Sequence, residues 1–136
     1  MKYLDTNVFV RFLTADQPEM TRVSASLFAR IARSEEEVAV LEATVAEVVY
    51  VLSAPRFYNV PHGEIRDRLQ ALLSERGILM EHKGRCLRAL DLFVAHRQLN
   101  FGDALLAAAV EDEPEATLYS FDRGFDRVEG ITRIEP

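Results

Sequence analysis

Apolar positions along the chain alternate between short unbroken runs and stretches with a repeat of three and four. Tyr3 and Leu4 read as a buried strand that ends on Asp5, with a helix over Val8 to Leu13 behind it. Asp16-Gln17-Pro18 breaks that helix, and Glu19 to Arg33 then places Val23, Leu27, Phe28 and Ile31 on one helical face. Val38 to Leu41 is short and β-branched, which predicts a second strand. The next segment is locally ambiguous: Val45, Val48, Val49 and Val51 favour a strand, but Val45, Val48, Val49 and Leu52 share a helical face and Thr44 can cap its start, so a helix is predicted. Gly63 to Arg76 is a further helix, stopped by Gly77, and Ile78 to Met80 a third strand. Arg85 to Leu99 carries Cys86, Leu90, Phe93 and Val94 on one face, and Asp103 to Glu111 is small and apolar enough to pack deep. Pro114 blocks continuation, Thr117 to Tyr119 forms a fourth strand, and Ile131 to Ile134 an edge strand.

Strands alternating with helices predict a parallel sheet of four or five strands covered on both faces, an α/β fold class. At 136 residues the chain fits one domain, 1–136, and can bury about two-thirds of its unfolded surface. A net charge of −6 argues against binding nucleic acid by overall charge. It leaves room for a nucleic-acid enzyme, because the cations are nearly all arginine, the planar donor suited to phosphate. The single cysteine, Cys86, falls at core spacing and cannot form an internal disulfide, which fits a reducing, cytoplasmic setting. No apolar run is long enough to span a bilayer, and Asp5 stands where a signal peptide needs apolar residues, so no membrane association is expected.

Four acids stand beside apolar stretches instead of on charged faces: Asp5, Glu47, Asp103 and Asp122. Asp5 and Asp122 follow strands and the other two fall near helix starts, so all four are expected at one end of the sheet, where ligands of parallel sheets collect. Each has a plain structural role open to it. Asp5 can cap the first helix, and Thr44-Val45-Ala46-Glu47 fits a capping box. Asp103 can be a first-turn acid favoured by the helix dipole, and Asp122, before Arg123-Gly124, a turn aspartate. Together, four carboxylates in one pocket would repel one another unless a cation joined them. There is no Cys/His zinc pattern, phosphate loop or nucleophilic serine motif, so an all-oxygen site points to Mg²⁺ or Mn²⁺. Thr6, Asn7 and Ser120 are candidates to hold the carboxylates or metal-bound water, though each is also a common cap or turn residue.

Leu4-Asp5-Thr6-Asn7, Ala46-Glu47-Val48-Val49-Tyr50-Val51-Leu52, Phe101-Gly102-Asp103-Ala104-Leu105-Leu106-Ala107-Ala108 and Ser120-Phe121-Asp122-Arg123-Gly124-Phe125, in that order and at those intervals, resemble a PIN-domain ribonuclease, specifically the small VapC toxins of VapBC toxin-antitoxin modules. The resemblance covers essentially the whole chain. It implies a three-layer α/β/α PIN-like domain, a homodimer, a VapB-type antitoxin partner, and cleavage of an RNA substrate (tRNA, rRNA or mRNA) with one or two Mg²⁺ or Mn²⁺ ions. The family's acids fall on Asp5, Glu47, Asp103 and Asp122, and its helper positions on Asn7 and Ser120. Many members carry another acid three residues before the third motif aspartate; here that place holds Asn100. Asp126 can supplement Asp122 or pair with a nearby arginine.

The roles expected on this basis are metal binding by Asp5, Asp103 and Asp122 and orientation or deprotonation of the attacking water by Glu47, itself able to ligate a second ion. Metal activation of water leaves 5′-phosphate and 3′-hydroxyl ends. Arg11, Arg56, Lys83, Arg85, Arg88 and Arg123, with Phe57 and Tyr58, are candidates for an RNA groove; the same residues also suit a solvated face or a subunit contact. An antitoxin would block the pocket with an arginine among the acids. Two rivals are a non-catalytic PIN-like binding module and a Mg-dependent phosphatase of the haloacid-dehalogenase kind, which wants a second aspartate where Asn7 stands.

Overall fold

Residues 2–4 run parallel to β1 (Val38–Ala39): the Leu4 amide donates to the Ala39 carbonyl at 3.0 Å and the Ala39 amide to the Lys2 carbonyl at 2.8 Å. The computed structural model describes all 136 residues. Its backbone contacts divide them into two compact units, 1–83 and 84–136.

In the first unit, α1 (Thr6–Thr14) buries Thr6, Phe9, Val10 and Leu13, spaced three, four and seven residues from the first, the stripe of a one-sided helix. It ends at Ala15, whose φ of 54° turns the chain left-handed. Pro18 opens α2 (Pro18–Ala32), where its missing amide costs nothing. Phe28 of α2 packs on Phe9 and Phe12, with ring centroids at 5.5 and 4.8 Å. After β1, α3 (Glu42–Ser53) buries Val45, Val48, Val49 and Leu52, which settles that ambiguous stretch as helix. α4 (His62–Leu73) buries Ile65, Leu69 and Leu73. β2 (Ile78–Leu79) pairs parallel with β1 in the register Val38 to Ile78 and Ala39 to Leu79. A β-carbon at Gly77 would lie 2.7 Å from the Glu36 carbonyl and 2.9 Å from the Ile31 side chain, so only glycine lets the chain enter β2 there.

In the second unit, α5 (Lys83–Ala95), whose first residue closes the preceding unit, buries Cys86, Ala89, Leu90, Leu92 and Phe93. α6 (Phe101–Glu111) buries Phe101, Ala104, Ala107 and Ala108, and Phe93 meets Phe101 edge-on at 6.0 Å. β3 (Leu118–Tyr119) pairs parallel with β4 (Arg133–Ile134), and a 3-10 helix over Arg123–Arg127 lies between them in sequence. All strand pairing is parallel, as the alternation predicts, but in place of one sheet of four or five strands it forms a two-stranded ladder in each unit, the first extended by the Tyr3 to Ala39 bridge. The ladders are only two residues long, shorter than the apolar runs suggest, because adjoining residues such as Leu41 leave the ladder at once to start the next helix. α5 likewise stops at Ala95 instead of reaching Leu99.

Candidate functional site

The first unit supplies Asp5 and Glu47. Leu4 is buried and paired, so the chain leaves the ladder at Asp5 with that residue exposed at the N-terminus of α1. Asp5 occupies the cap position, yet its side chain makes no cap hydrogen bond. Its carboxylate stands free beside the positive end of the helix dipole, which excludes the plain capping role open to it on sequence. The neighbouring Thr6 is only 6% exposed, and its hydroxyl donates to Glu47 Oε2 at 2.8 Å. This bond ties the start of α1 to the outward face of α3 and leaves Oε1 of Glu47 unengaged.

Glu47 does not take part in a capping box. α3 begins at Glu42 with Leu41 as its cap, so Thr44 is already inside the helix and Glu47 lies in the second turn. The Thr44 amide donates to the Leu41 carbonyl at 3.0 Å, starting the helix a turn earlier than the Thr44-to-Glu47 spacing suggests. Asn7 is exposed and borders a groove of about 280 Å³ with Val8, Arg11 and Met20.

The second unit supplies Asp103 and Asp122, both wired into local backbone. Asn100 caps α6: its Oδ1 accepts from the Asp103 amide at 2.7 Å while Asp103 Oδ2 accepts from the Asn100 amide at 3.2 Å, a complete capping box. Thus Asn100, standing where an extra acid would be, orients Asp103. Asp122 Oδ1 accepts from the Gly124 amide at 2.8 Å, and Ser120 Oγ accepts from the Asp122 amide at 2.9 Å. A β-carbon at Gly124 would lie 2.9 Å from Asp122 Oδ1, so the glycine keeps that turn open. Asp103 Oδ1 and Asp122 Oδ2 accept from nothing in the chain.

Asp126 is held by Arg133 through two bonds of 2.8 and 3.1 Å, and the same guanidinium donates to the Ser120 carbonyl at 2.9 Å. Arg133 is the main cause that holds the Asp126 carboxyl below the ordinary carboxylate range. Asp126 therefore acts on Ser120 and the Asp122 turn through Arg133. Of the two roles open to Asp126 on sequence, the structure shows the pairing with a nearby arginine, and it adds the reach of that arginine to Ser120.

Among the cations considered for RNA, Arg11 pairs with Asp16, Arg85 with Asp112 and Arg88 with Glu111, and Lys83 donates to the Glu75 carbonyl. Arg56 has no carboxylate partner, and Arg123 bears on Asp126 by charge alone.

Neither unit by itself gathers three His, Cys, Asp or Glu side chains into a group that could hold a metal ion. The donor chemistry does suit a hard divalent cation. All four acids offer oxygen, Asp5 keeps its whole carboxylate uncommitted, and the other three each keep one oxygen free of protein donors.

Parallel pairing, with Asp5 leaving a paired segment and Asp103 in the first turn of α6, puts acids where ligands of parallel α/β sheets collect. Residues 2–131 match the sequence profile of the PIN domain, and the chain belongs to that family. PIN domains are three-layer α/β/α proteins, in general nucleases, that typically bind divalent metal ions. No curated protein matches the chain. No helix is long and apolar enough to cross a membrane.

Proposed function

We propose that the protein is a Mg²⁺- or Mn²⁺-dependent ribonuclease of the VapC toxin type, acting in the cytoplasm as a homodimer and neutralised by a VapB-type antitoxin. The observation that carries the reading is the free Asp5 carboxylate at the end of a paired segment, beside a buried threonine whose hydroxyl holds Glu47. An exposed cap residue that leaves its own helix amides unused forgoes about 1 kcal/mol of capping energy, which fits a carboxylate kept for another task.

Asp5, Asp103 and Asp122 would hold the metal, with Glu47 available as a further ligand. When bound, such an ion lowers the pKa of water and offsets charge on a phosphate under attack. Glu47 takes the proton of the attacking water on Oε1, since Thr6 occupies Oε2. The Asn100 box and the Ser120-Asp122-Gly124 turn keep Asp103 and Asp122 from swinging, so little entropy is lost when both engage the cation. Asn7, exposed one residue beyond Thr6, orients water or phosphate oxygen at the start of α1. With water as nucleophile the RNA 2′-hydroxyl is a bystander, and cleavage leaves 5′-phosphate and 3′-hydroxyl ends. An antitoxin arginine placed among the acids satisfies the same oxygens two bonds at a time.

The test is cleavage of labelled tRNA, rRNA and mRNA fragments with Mg²⁺ or Mn²⁺, followed by chemical mapping of the new ends. Asp5→Asn should lower cleavage by about 10²-fold or more, because several kcal/mol of transition-state stabilisation is removed. Its melting temperature should match wild type, since Asp5 has no side-chain partner to lose. Cleavage undiminished in Asp5→Asn, or 2′,3′-cyclic phosphate ends, would refute the assignment.

A further inference from the structure

The loop after α3 carries a constellation that the cleavage chemistry leaves unused. Tyr50 and Phe57 are 56% and 51% exposed, large aromatic surfaces that folding has left in water. Their rings meet edge-on at 6.4 Å. The Arg56 guanidinium sits over the Phe57 ring, 4.9 Å from its centroid, and donates to the Tyr50 hydroxyl at 3.3 Å. Arg56 has no carboxylate partner, unlike Arg11, Arg85 and Arg88. It is thus a cation presented flat against aromatic surface with its charge uncompensated.

The loop is also pinned. The Val60 amide donates to the Leu52 carbonyl at 2.8 Å, and the Phe57 and Asn59 amides both donate to the Ala54 carbonyl. Tyr58 faces the other way, its hydroxyl donating to Asp16 Oδ2 at 2.6 Å and accepting from Arg11. A surface fixed in this way loses little entropy when a ligand settles on it. Finally, Tyr50 lies three residues after Glu47 on the outward side of α3, a spacing that makes the two side chains neighbours.

We infer that Tyr50, Arg56 and Phe57 form a stacking platform for a base of single-stranded RNA next to the cleaved bond. This rests on the ribonuclease reading, and it names the substrate form: unpaired RNA, a loop or an end, whose bases are free to leave their own stack. The guanidinium contributes both a flat face for the base and a charge for the adjoining phosphate, and the aromatic rings stack without regard to base identity. Local charge selects this occupant against the chain's net charge of −6: the Arg56 cation, with no carboxylate beside it and lying on exposed aromatic surface, is matched to a phosphate next to a flat base.

The experiment is a fluorescence-anisotropy titration of a labelled single-stranded RNA oligonucleotide with the Asp5→Asn protein, chosen because the ribonuclease reading expects it to cut RNA slowly enough for binding to be read. In that background Phe57→Ala and Arg56→Ala should each weaken binding about ten-fold, the size of one lost base stack, with melting temperatures unchanged. Phe57→Trp should restore affinity, and binding of duplex RNA should not respond to Phe57→Ala. Equal affinity of Phe57→Ala, Arg56→Ala and the parent overturns the platform, including the case in which light scattering shows that Phe57→Ala has split a dimer. Cleavage by the Asp5-containing chain is followed in parallel. Cleavage with KM unmoved by Phe57→Ala overturns the platform and spares the nuclease reading. Platform-dependent binding without any cleavage supports the platform and sinks the nuclease reading. An intact chain that neither binds nor cuts the oligonucleotide overturns both.

Discussion

The two units present their acids in opposite ways. In residues 1–83, Asp5 has no side-chain partner, and Glu47 is held by a threonine hydroxyl reaching across 41 positions of sequence. In residues 84–136, Asp103 and Asp122 are fastened by amides no more than three residues away. The second arrangement is the ordinary chemistry of helix caps and turns, and it folds whether or not the carboxylate has another use. The first contributes nothing locally: Asp5 forgoes a cap that its position offers, and Thr6 spends a buried hydroxyl on an exposed acid. Of the two, the first unit carries the stronger sign of function, while the second supplies carboxylates already aimed.

The sharpest way to break this contrast is Thr6→Val, which keeps shape and removes the bond to Glu47. Cleavage should fall about 10- to 100-fold, the usual cost of losing a group that orients a metal-site residue, with about 1–2 kcal/mol of stability lost, read by RNA cleavage and urea melting. In the second unit the two properties should separate. Asp103→Asn keeps an oxygen for the Asn100 amide, so cleavage falls while melting holds. Asn100→Ala deletes the cap and should cost about 1 kcal/mol, visible in urea unfolding. The smallest effect concerns pH. Asp16 is held below the ordinary carboxylate range, chiefly by the Tyr58 hydroxyl, then Thr14, with Arg11 adding to it. A lowered folded pKa gives stability above the unfolded value of about 4 and loses it as pH falls through the folded one. The melting-temperature gap between wild type and Tyr58→Phe should therefore be open at neutral pH and close in acid.

Much of this organisation was legible in the sequence where periodicity reports burial. The stripe Val45-Val48-Val49-Leu52 is buried as its spacing predicts and decided helix against β-branched propensity, whereas of the predicted face Val23-Leu27-Phe28-Ile31 only Phe28 and Ile31 are buried and Val23 is 55% exposed. Asp103 as a first-turn acid and Asp122 as a turn residue were equally readable, because both are fixed by neighbours. Glu47 was misleading. Thr44 and Glu47 have capping-box spacing, but the helix starts where Leu41 leaves the strand, a boundary set by pairing of β1 with β2 and not by local cap chemistry. Its partner, Thr6, was among the residues expected to hold one of the carboxylates, with no particular acid named. Pairing of Asp126 with a nearby arginine was readable, but the reach of Arg133 to Ser120 and the Tyr58-Asp16 tie were not, since side-chain bonds between distant residues follow from the fold and not from spacing. Strand ends were also illegible, because a two-residue ladder is too short for alternation to register.

The central proposal is that Asp5, whose carboxylate has no side-chain partner, serves to bind a divalent cation. Calorimetric titration of Mn²⁺ into the metal-free protein tests it most directly, with Asp5→Asn and Asp122→Asn alongside. The account predicts one or two binding events in wild type that weaken at least about ten-fold in each variant, together with a rise in melting temperature on Mn²⁺ addition that both variants lose. Mn²⁺ affinity indifferent to Asp5→Asn, or no binding to wild type, would contradict it.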